Sequence, residues 1–276
     1  MSAARDTGSQ SYADFYQRFD TPVMRRIRRE AYGEDIGQHS WLTADELRSD
    51  IARLGLTPTA RLLDLGCGPC GPLTFILQSV DCVATGIDYV PAALEVGRAR
   101  AAAAGVASRI TLEHADLDDP LPFPPRSFDA AISLDVVIHL SDRSRLYREV
   151  ARVLVPGGRF LVTDAGILTG SLSQEELGLR SVQGSIQLVP LGWNEDRLQA
   201  AGFRVLEADD RTAAAVKTAM ARIEAMQAHR EALAELMSHA EIDQQIDYLE
   251  VVAALGRRGA VSRMTYLSEL DVRRAA

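Results

Sequence analysis

The sequence predicts an α/β fold, in which helices cover both faces of a doubly wound, mostly parallel sheet. Short runs rich in apolar and β-branched residues alternate with longer helical patterns from position 61 to position 164, as expected for parallel strands joined by crossover helices. The chain has 276 residues, 47% of them hydrophobic and 25% charged. That composition allows a sizeable core in one globular domain.

Helices are predicted ahead of the sheet. Between positions 12 and 31, apolar and aromatic residues recur every three or four positions, which predicts a helix that is interrupted near Pro22. Thr43 and Glu46 then have the spacing of a capping box, in which each side chain accepts from a backbone N–H at the helix start. Residues 1–10 are small and polar, so we expect no regular structure there.

The central part is predicted to supply five strands and three helices. The strands are expected at Arg61–Leu65, Val83–Asp88, Ile110–Glu113, Phe128–Leu134 and Arg159–Asp164. The helices are expected at Pro72–Val80, Ala92–Ala104 and Arg143–Val153, with Pro156-Gly157-Gly158 ending the last of them.

The C-terminal part is predicted to complete the sheet and to add a helical insert. In order, it is expected to contain a loop at Gly166–Pro190, a helix at Asn194–Ala201, a strand at Phe203–Ala208, a helical stretch at Thr212–Leu255 broken near Ser238, and a strand at Arg263–Leu270. The loop and the insert exceed a minimal sandwich, so both are expected to cover a site.

Two side-chain patterns on the predicted helices favour structural roles. A stripe at helical spacing is expected to pack in the core, and consists of Val216, Met220, Ile223 and Met226. A run of arginines is expected to form a solvated helix face, and consists of Arg25, Arg26, Arg28 and Arg29.

The composition excludes several classes of function. The net charge of -8 argues against binding to a nucleic-acid backbone, which needs clustered positive charge. Three cysteines, Cys67, Cys70 and Cys82, are too few for a secreted disulfide framework, which favours a reducing cytoplasm. The N-terminus lacks the pattern of a secretory signal, and no apolar run approaches the roughly 20 residues of a membrane span. We therefore expect a cytoplasmic protein with neither nucleic acid nor membrane as a partner.

A glycine-rich loop follows the first predicted strand and allows three interpretations. The G-x-G-x-x-G spacing that binds dinucleotides, and hence an NAD(P)-dependent oxidoreductase, is matched by Gly66, Gly68 and Gly71. Cys67 and Cys70 have the spacing of a thioredoxin-like dithiol, although inert thiols are the favoured interpretation. The third interpretation uses Asp64 at the strand end, because a carboxylate there would repel a pyrophosphate but hold a cationic amine.

The third interpretation is supported further along the chain. From Asp64 to Asp164 the sequence resembles the class I S-adenosylmethionine-dependent methyltransferases, closest to bacterial small-molecule enzymes that methylate natural products and sugars. The motifs that carry the resemblance are Asp64-Leu65-Gly66-Cys67-Gly68, Gly86-Ile87-Asp88, His114-Ala115-Asp116, Phe128–Asp135 and Leu154–Phe160. The resemblance implies S-adenosylmethionine as the cofactor. It also implies a seven-stranded Rossmann-like methyltransferase sandwich with strand order 3-2-1-4-5-7-6, the last strand antiparallel, and a lid of N-terminal and inserted helices.

The resemblance also assigns residues to the cofactor. Asp64 would meet the methionine amine, Asp88 the ribose hydroxyls and Asp116 the adenine amino group. The full set implied to bind or cover the cofactor is Gln38, Trp41, Asp64, Gly66, Cys67, Gly68, Asp88, Tyr89, Asp116, Leu117, Ser133 and Leu134. Many family members have glycine where this chain has Cys70, and we expect Gly71 to supply the backbone freedom instead.

Two residues beyond the fourth and fifth strands are the candidates for catalysis. The resemblance to O-methyltransferases implies His139 as the general base and Asp164 as its partner or as an acceptor of a substrate hydrogen bond. Imidazole titrates near neutrality and can take a hydroxyl proton, although His139 could also only cap the next helix. His229 and His39 are weaker candidates for substrate contacts, and no metal site is expected.

The substrate is predicted by exclusion. The segment Ser133–Val136 lacks the Asn/Asp-Pro-Pro-aromatic run of nucleic-acid methylases, and no paired-glutamate loop of arginine methylation is found. Asp135 and Asp164 offer only a weak pair of metal ligands. We therefore expect methylation of a hydroxyl on a small, partly apolar metabolite, with nitrogen or carbon as the alternative target and a homodimer left open.

The domain organisation follows from these assignments. Residues 1–56 are predicted to form an N-terminal helical cover and residues 57–211 the S-adenosylmethionine-binding α/β core. Residues 212–258 are predicted to form a helical lid or substrate insert, and residues 259–276 the final strand of the core sheet.

Overall fold

One sheet organises the part of the chain that the structure describes. The computed structural model describes residues 12–181 and 186–271, so the prediction for residues 1–10 lies outside it. The strands are β1 (Arg61–Leu65), β2 (Val83–Asp88), β3 (Ile110–His114), β4 (Phe128–Leu134), β5 (Leu154–Leu168), β6 (Val189–Pro190), β7 (Phe203–Asp210) and β8 (Val261–Leu270).

The strand order confirms the predicted fold class. The order is β3-β2-β1-β4-β5-β8-β7, and the two-residue β6 pairs with β5 outside this path. β8 is antiparallel to β5 and to β7, and the other neighbours are parallel. Without β6 this is the predicted order 3-2-1-4-5-7-6 with its last strand antiparallel. The carboxyl ends of β1 to β5 therefore meet at one edge of the sheet, where ligands bind in such folds.

Helices lie on both faces of the sheet and above its carboxyl edge. They are α1 (12–18), α2 (Pro22–Tyr32), α3 (Ala44–Leu54), α4 (Gly71–Ser79), α5 (Pro91–Ala103), α6 (Arg143–Val153), α7 (Gln174–Arg180), α8 (Trp193–Ala200), α9 (Thr212–Ala228), α10 (Arg230–Ala234) and α11 (His239–Arg257). The capping box of Thr43 and Glu46 is present at the start of α3, and Pro22 begins α2.

The core has two layers because neighbouring strand residues point to opposite faces. Leu62 packs in the layer that includes α3, α4 and α5, whereas Leu63 packs in the layer that includes α6 and α8. Both leucines are fully buried. A third cluster joins α2, α9 and α11 to Trp41 and to Ala165 near the end of β5. We call α1, α2 and α9 to α11 the helical cover.

The prediction for β5 and the segment after it was wrong in part. β5 begins at Leu154 and continues to Leu168, because its second half pairs with the start of β8. The Pro-Gly-Gly sequence lies within β5 as an irregularity in its pairing with β4. The predicted loop Gly166–Pro190 contains α7, which begins at a capping box of Ser173 and Glu176. That box was present in the sequence and was overlooked.

The helical insert also differs from the prediction. It breaks at His229 as well as at Ser238, which caps α11. The predicted core stripe splits, since Met226 is buried whereas Met220 is 36% exposed. The buried face of α9 is formed mainly by small residues such as Ala219, which lets the helix approach its neighbours closely.

The predicted solvated arginine face was wrong at one position. Arg28 is buried, with its guanidinium bound to Asp20 and Asp35 and lying 4.1 Å from the centre of the Phe19 ring. Arg28 therefore joins α2 to the segments on either side of it. Separately, no helix in the described ranges is long and apolar enough to cross a membrane.

Candidate active site

The glycine loop between β1 and α4 has a backbone that depends on its glycines. Gly66 and Gly68 have φ of 79° and 52°, in the left-handed region that side chains disfavour. A Cβ atom at Gly66 would lie 2.7 Å from the Val136 side chain, so this position has no room for a side chain. The loop therefore brings bare backbone to the carboxyl edge of the sheet.

The expectation that Gly71 would supply the backbone freedom in place of a glycine at position 70 was wrong. Cys70 itself adopts the left-handed conformation, with φ of 57°, at a cost of order 1 kcal/mol. Gly71 is required for a different reason, because a Cβ there would lie 2.1 Å from the carbonyl oxygen of Gly37. The segment ahead of α3 is thus pressed against the glycine loop.

The two thiols of this loop are buried neighbours. Their Sγ atoms are 3.6 Å apart, and both residues are at most 5% exposed. The hydrogen bond between the two thiols, together with burial, raises the pKa of the Cys67 thiol well above its ordinary value. Since the thiolate is the reactive form, this environment supports the interpretation of Cys67 and Cys70 as inert thiols.

One buried carboxylate precedes the glycine loop in the chain and a second follows it. Asp88, at the end of β2, accepts from the backbone N–H of Gly68 at 2.8 Å and of Val90 at 2.9 Å. Asp64 is 2% exposed in β1, and burial followed by the charge of Asp88 raises its pKa to about 8. A buried carboxylate of this kind is stabilised when a cation is placed beside it.

The remaining residues predicted to bind the cofactor lie along the same edge. Ser133 is buried and donates to the carbonyl oxygen of Leu65 at 3.2 Å, and Leu134 follows it at the end of β4. Asp116 and Leu117 lie just beyond β3, and Leu117 is buried. Tyr89, immediately after Asp88, is 39% exposed. The fold thus brings the predicted set to one edge of the sheet.

The helical cover reaches this edge through aromatic side chains that the sequence did not single out. Tyr16 of α1 lies over the glycine loop, with its hydroxyl oxygen 3.3 Å from the place of a Gly68 Cβ. Burial and the charge of Asp88 raise the pKa of Tyr16 well above its usual value. Tyr12 stacks on Tyr16 with 6.1 Å between ring centres. The regular spacing of these aromatics predicted their helix but not their contact with the loop.

Gln38 and Trp41 were both predicted to cover the methionine end of the cofactor, but the two residues make contacts with different parts of the protein. Both ends of the Gln38 amide bind its own loop, through the N–H of Ile36 and the carbonyl of Glu34. The backbone N–H of Trp41 donates to Asp135, directly after β4, at 3.0 Å. Trp41 is therefore fixed to the edge of the sheet by its backbone.

Asp135 is the centre of a polar network that sequence reasoning missed. Its carboxylate accepts from the Thr163 hydroxyl at 2.8 Å and from Nε of Arg263 at 3.0 Å, in addition to Trp41. Nη1 of Arg263 also donates to Glu46 at 3.2 Å. Asp135 and Arg263 are 128 positions apart in the chain, so no local pattern in the sequence connects them.

His139 lies where the sequence placed it, beyond the end of β4. It ends the 3-10 turn Val137–His139 and is exposed, with its ring centre 6.3 Å from that of Tyr12 in an edge-to-face arrangement. Two hydrogen bonds to its backbone carbonyls hold the turn. Nε of Arg143 donates to the carbonyl oxygen of Val137 at 2.8 Å, and the backbone N–H of Gln187 donates to the carbonyl oxygen of Ile138 at 2.7 Å. The His139 side chain is thus presented on a fixed turn.

Asp164 was predicted to be the partner of His139 or to accept a hydrogen bond from the substrate, but its contacts in the structure are with other residues. It is fully buried, and one carboxylate oxygen accepts from Arg143 at 2.5 Å and from Asn194 at 2.8 Å. The other accepts from the N–H of Gly166 at 2.8 Å. Because these contacts occupy the carboxylate, Asp164 acts through Arg143 on the turn that bears His139. Neither Asp164 nor Asp135 is available as the metal ligand considered from the sequence, since each binds an arginine.

The two other histidines have structural surroundings. His39 is stacked on Phe15 with 4.2 Å between ring centres, and burial lowers its pKa to about 3. Nε2 of His229 lies 2.9 Å from both carboxylate oxygens of Glu30 and so joins the end of α9 to α2. Neither arrangement favours a substrate contact.

The donor set fits S-adenosylmethionine better than a dinucleotide. Asp64 is a buried carboxylate that favours a cation, and the cofactor carries a cationic amine, whereas a pyrophosphate would be repelled. Asp88 lies at the strand end where ribose hydroxyls are bound in such folds. The fold and this edge together match those of a class I S-adenosylmethionine-dependent methyltransferase domain.

Comparison with known proteins agrees with this class. The family model for a methyltransferase domain matches residues 63–162. Over 157 residues the chain is 34% identical to 27-O-demethylrifamycin SV methyltransferase of Amycolatopsis mediterranei, covering 54% of this chain and 56% of that protein. It is 29% identical over 195 residues to sterol 24-C-methyltransferase ERG6B of Gibberella zeae, covering 66% of this chain and 48% of the other.

A solved structure has the same fold. Phosphoethanolamine N-methyltransferase 2 of Haemonchus contortus, in complex with S-adenosyl-L-methionine, superimposes with a TM-score of 0.78 at 21% identity, over 94% of this chain and 60% of that one. The chain thus spans about half the length of the curated relatives it matches. The prediction of a methyltransferase domain is confirmed over residues 63–162, and the predicted enzyme with S-adenosylmethionine as its cofactor is supported by the named relatives and by the cofactor bound in that structure. The oxidoreductase interpretation is not retained.

Proposed function

We propose that the protein transfers a methyl group from S-adenosylmethionine to a hydroxyl of a small, partly apolar molecule, in the cytoplasm, with His139 as the general base. The observation that carries the proposal is the position of His139. It is an exposed imidazole on a fixed turn directly beyond β4, beside the residues expected to hold the cofactor. Two named relatives act on different atoms, one on oxygen and one on carbon, so the target atom rests on His139.

The residues of the chain would hold the cofactor by charge and by shape. The Asp64 carboxylate would bind the amine, Asp88 the ribose hydroxyls, and the bare backbone at Gly66 and Gly68 would allow close approach. Tyr16 and its neighbours in α1 would exclude water from this edge. When bound, S-adenosylmethionine supplies a methyl group on a positively charged sulfur.

The chain's part in the reaction is to orient the acceptor and to remove its proton. Methyl transfer is an in-line displacement, so the rate depends on the placement of the acceptor oxygen. His139 would accept the hydroxyl proton on an imidazole nitrogen, and the ring of Tyr12 would hold that imidazole at one side. The Arg143 and Asp164 pair would keep the turn in place. An amine acceptor would need no such base, which separates this proposal from N-methylation.

The test compares two histidine variants with an acceptor panel. His139→Ala should lower turnover by about 10²-fold or more while calorimetry shows unchanged binding of S-adenosylhomocysteine. Added imidazole should restore part of the rate, which a merely structural role would not allow. The control is His239→Ala, an exposed histidine at the start of α11. Full activity of His139→Ala, or a product with the new methyl on nitrogen by NMR, would overturn the proposal.

The predicted division into a cover, a core, a lid and a final strand stays a prediction, as does the homodimer. Limited proteolysis with and without S-adenosylhomocysteine would test the lid at residues 212–258. Protection of that segment by the ligand is the expected result.

A further inference from the structure

A cavity lies between the helical cover and the carboxyl edge of the sheet. Its lining includes Trp41, Ala165 near the end of β5, and Val216 of α9. It also includes two arginines, Arg180 and Arg263, that are only 4% and 2% exposed. Arginine is seldom buried so completely unless its charge is paired. The partners of these two guanidinium groups therefore indicate what the cavity can bind.

The guanidinium of Arg263 has one unsatisfied nitrogen. Nε binds Asp135 at 3.0 Å and Nη1 binds Glu46 at 3.2 Å. Nη2 is buried and has no hydrogen-bond partner in the described ranges. A buried donor without an acceptor is unfavourable, and this nitrogen belongs to a side chain that lines the cavity.

Arg180 is an independent second observation. Its Nη1 donates to the Tyr248 hydroxyl and its Nη2 to the carbonyl of Ala165, both at 3.0 Å. Both acceptors are neutral, and among residues 12–181 and 186–271 no ion pair within 4.0 Å is formed by its guanidinium. A buried charge without a counter-charge is costly. The cavity thus has one buried cation that lacks an anion and one donor that lacks an acceptor.

The charges around the cavity favour a single negative charge. A third guanidinium, that of Arg222, lies 5.4 Å from the Trp41 ring centre. Two buried guanidinium groups and the half-exposed one of Arg222 thus lie near Trp41, whereas the carboxylates that bind Arg263 are those of the buried Asp135 and the half-buried Glu46. Asp210 contacts the lining residue Thr212 from the exposed side, where solvent screens its charge. A monoanion would neutralise the cluster, and a phosphate dianion would exceed it.

We propose that this cavity binds a carboxylate, and that the carboxylate belongs to the methyl acceptor. A planar carboxylate accepts from guanidinium groups in the geometry that arginine presents. The Trp41 side chain, stacked with Tyr248 at 6.3 Å between ring centres, contributes apolar surface to the lining. The lining residue Trp41 is bound to Asp135, in the segment that leads from β4 to the turn bearing His139. The claim that the carboxylate belongs to the methyl acceptor rests on the proposed function, whereas the claim that the cavity binds a carboxylate does not.

The test uses the fluorescence of Trp41. The chain has 2 tryptophans, so Trp193→Phe leaves Trp41 as the only one. In that background, sodium propionate at constant ionic strength should give a saturable change, and the neutral propionamide should not. Arg180→Gln should weaken propionate binding about tenfold or more, as expected for a lost charge-assisted contact. Arg26→Gln, an exposed arginine on α2, is the control and should leave binding unchanged.

Several results would overturn the inference. These are an equal response to propionate and propionamide, tighter binding of inorganic phosphate than of propionate, or an Arg180→Gln variant that binds as the parent does. If Arg180→Gln fails to fold, Arg180→Lys preserves the charge and the comparison of acid with amide still decides.

A parallel titration separates this inference from the proposed function. S-Adenosylhomocysteine should bind the parent and Arg180→Gln alike by calorimetry. If the parent does not bind S-adenosylhomocysteine, the proposed function is contradicted. The carboxylate site is not affected by that result, because the propionate titration measures a different ligand. With an active acceptor in hand, propionate should inhibit methylation competitively against that acceptor, and the absence of competition would remove the acceptor assignment.

Discussion

Arg143 and Asp164 form an ion pair at 2.5 Å in which both side chains are at most 2% exposed. The pair joins the start of α6 to β5, and through the Val137 carbonyl it holds the turn that carries His139. Removing one partner of a buried pair leaves an uncompensated charge and typically costs 3–5 kcal/mol. Arg143→Met should therefore lower the free energy of unfolding by about 3 kcal/mol or more, measured with urea.

Comparing Arg143→Met with a variant at an exposed ion pair separates the effect of burial on stability from the effect of losing one charge. Arg230→Met removes an arginine whose ion pair with Asp243 is exposed, and it should change stability little because solvent screens such pairs. Replacing Arg143 and Asp164 together by apolar residues should recover much of the stability. Equal effects of Arg143→Met and Arg230→Met would contradict the structural role of the buried pair.

Binding of the cofactor should release a proton from Asp64. In the free protein its pKa is raised to about 8, so the carboxyl is protonated at pH 7. An ammonium group beside it favours the charged form, and binding then expels the proton. Affinity for S-adenosylhomocysteine should accordingly rise from pH 6 to pH 8.

The proton can be counted directly by calorimetry at pH 7 in buffers of different ionisation enthalpy. The parent should release close to one proton from this site, and Asp64→Asn, which cannot ionise, should not. Unchanged proton release in Asp64→Asn would show that another group titrates.

His39 should make the protein sensitive to acid. Burial lowers its pKa from 6.5 to about 3, so between these values the unfolded chain binds the proton and the folded chain does not. Stability from this residue is therefore present above pH 6.5 and lost as the pH falls towards 3, by up to about 1.4 kcal/mol per pH unit. His39→Phe, which retains the aromatic contacts, should show a smaller loss between pH 7 and pH 5 in urea unfolding. A parallel pH dependence in both proteins would exclude His39 as the cause.

Two adjacent positions of the glycine loop should respond differently to alanine. Gly71→Ala places a methyl group 2.1 Å from the Gly37 carbonyl oxygen, and such overpacking costs about 1–3 kcal/mol. Cys70→Ala keeps a side chain in the same left-handed conformation and removes only a small buried thiol. Thermal unfolding should show the larger loss for Gly71→Ala, and the reverse order would mean that the loop relaxes around the added methyl.

Much of the fold could be predicted because its signals are local. The bounds of β1, β2 and β4 were predicted to the residue from the run of apolar positions, and Thr43 with Glu46 marked the start of α3. The length of β5 was missed because pairing with β8 extends it. Local periodicity describes one segment at a time and cannot register such a contact.

The candidate site was predictable only where its residues follow strand ends. The positions of Asp64, Asp88 and His139 at the carboxyl edge were predicted in this way, from motifs at or beside the ends of predicted strands. The partners of Asp164 and Asp135 were not, because an arginine that neutralises a buried carboxylate can come from any distant part of the chain. The left-handed conformation of Cys70 was indicated only by the glycine that many family members have at this position, since a cysteine itself gives no signal for positive φ.

The network around Asp135 has a consequence for how the protein is made. Its contacts reach back 94 positions to Trp41 and forward 128 positions to Arg263. On the ribosome, where domains fold as the chain emerges, the glycine loop can form long before β8 has been synthesised. A nascent chain that stops short of residue 261 would contain the cofactor motifs but would leave Asp135 without its arginine. The network around Asp135 is therefore completed last, and chains that end early should be less stable than the full chain.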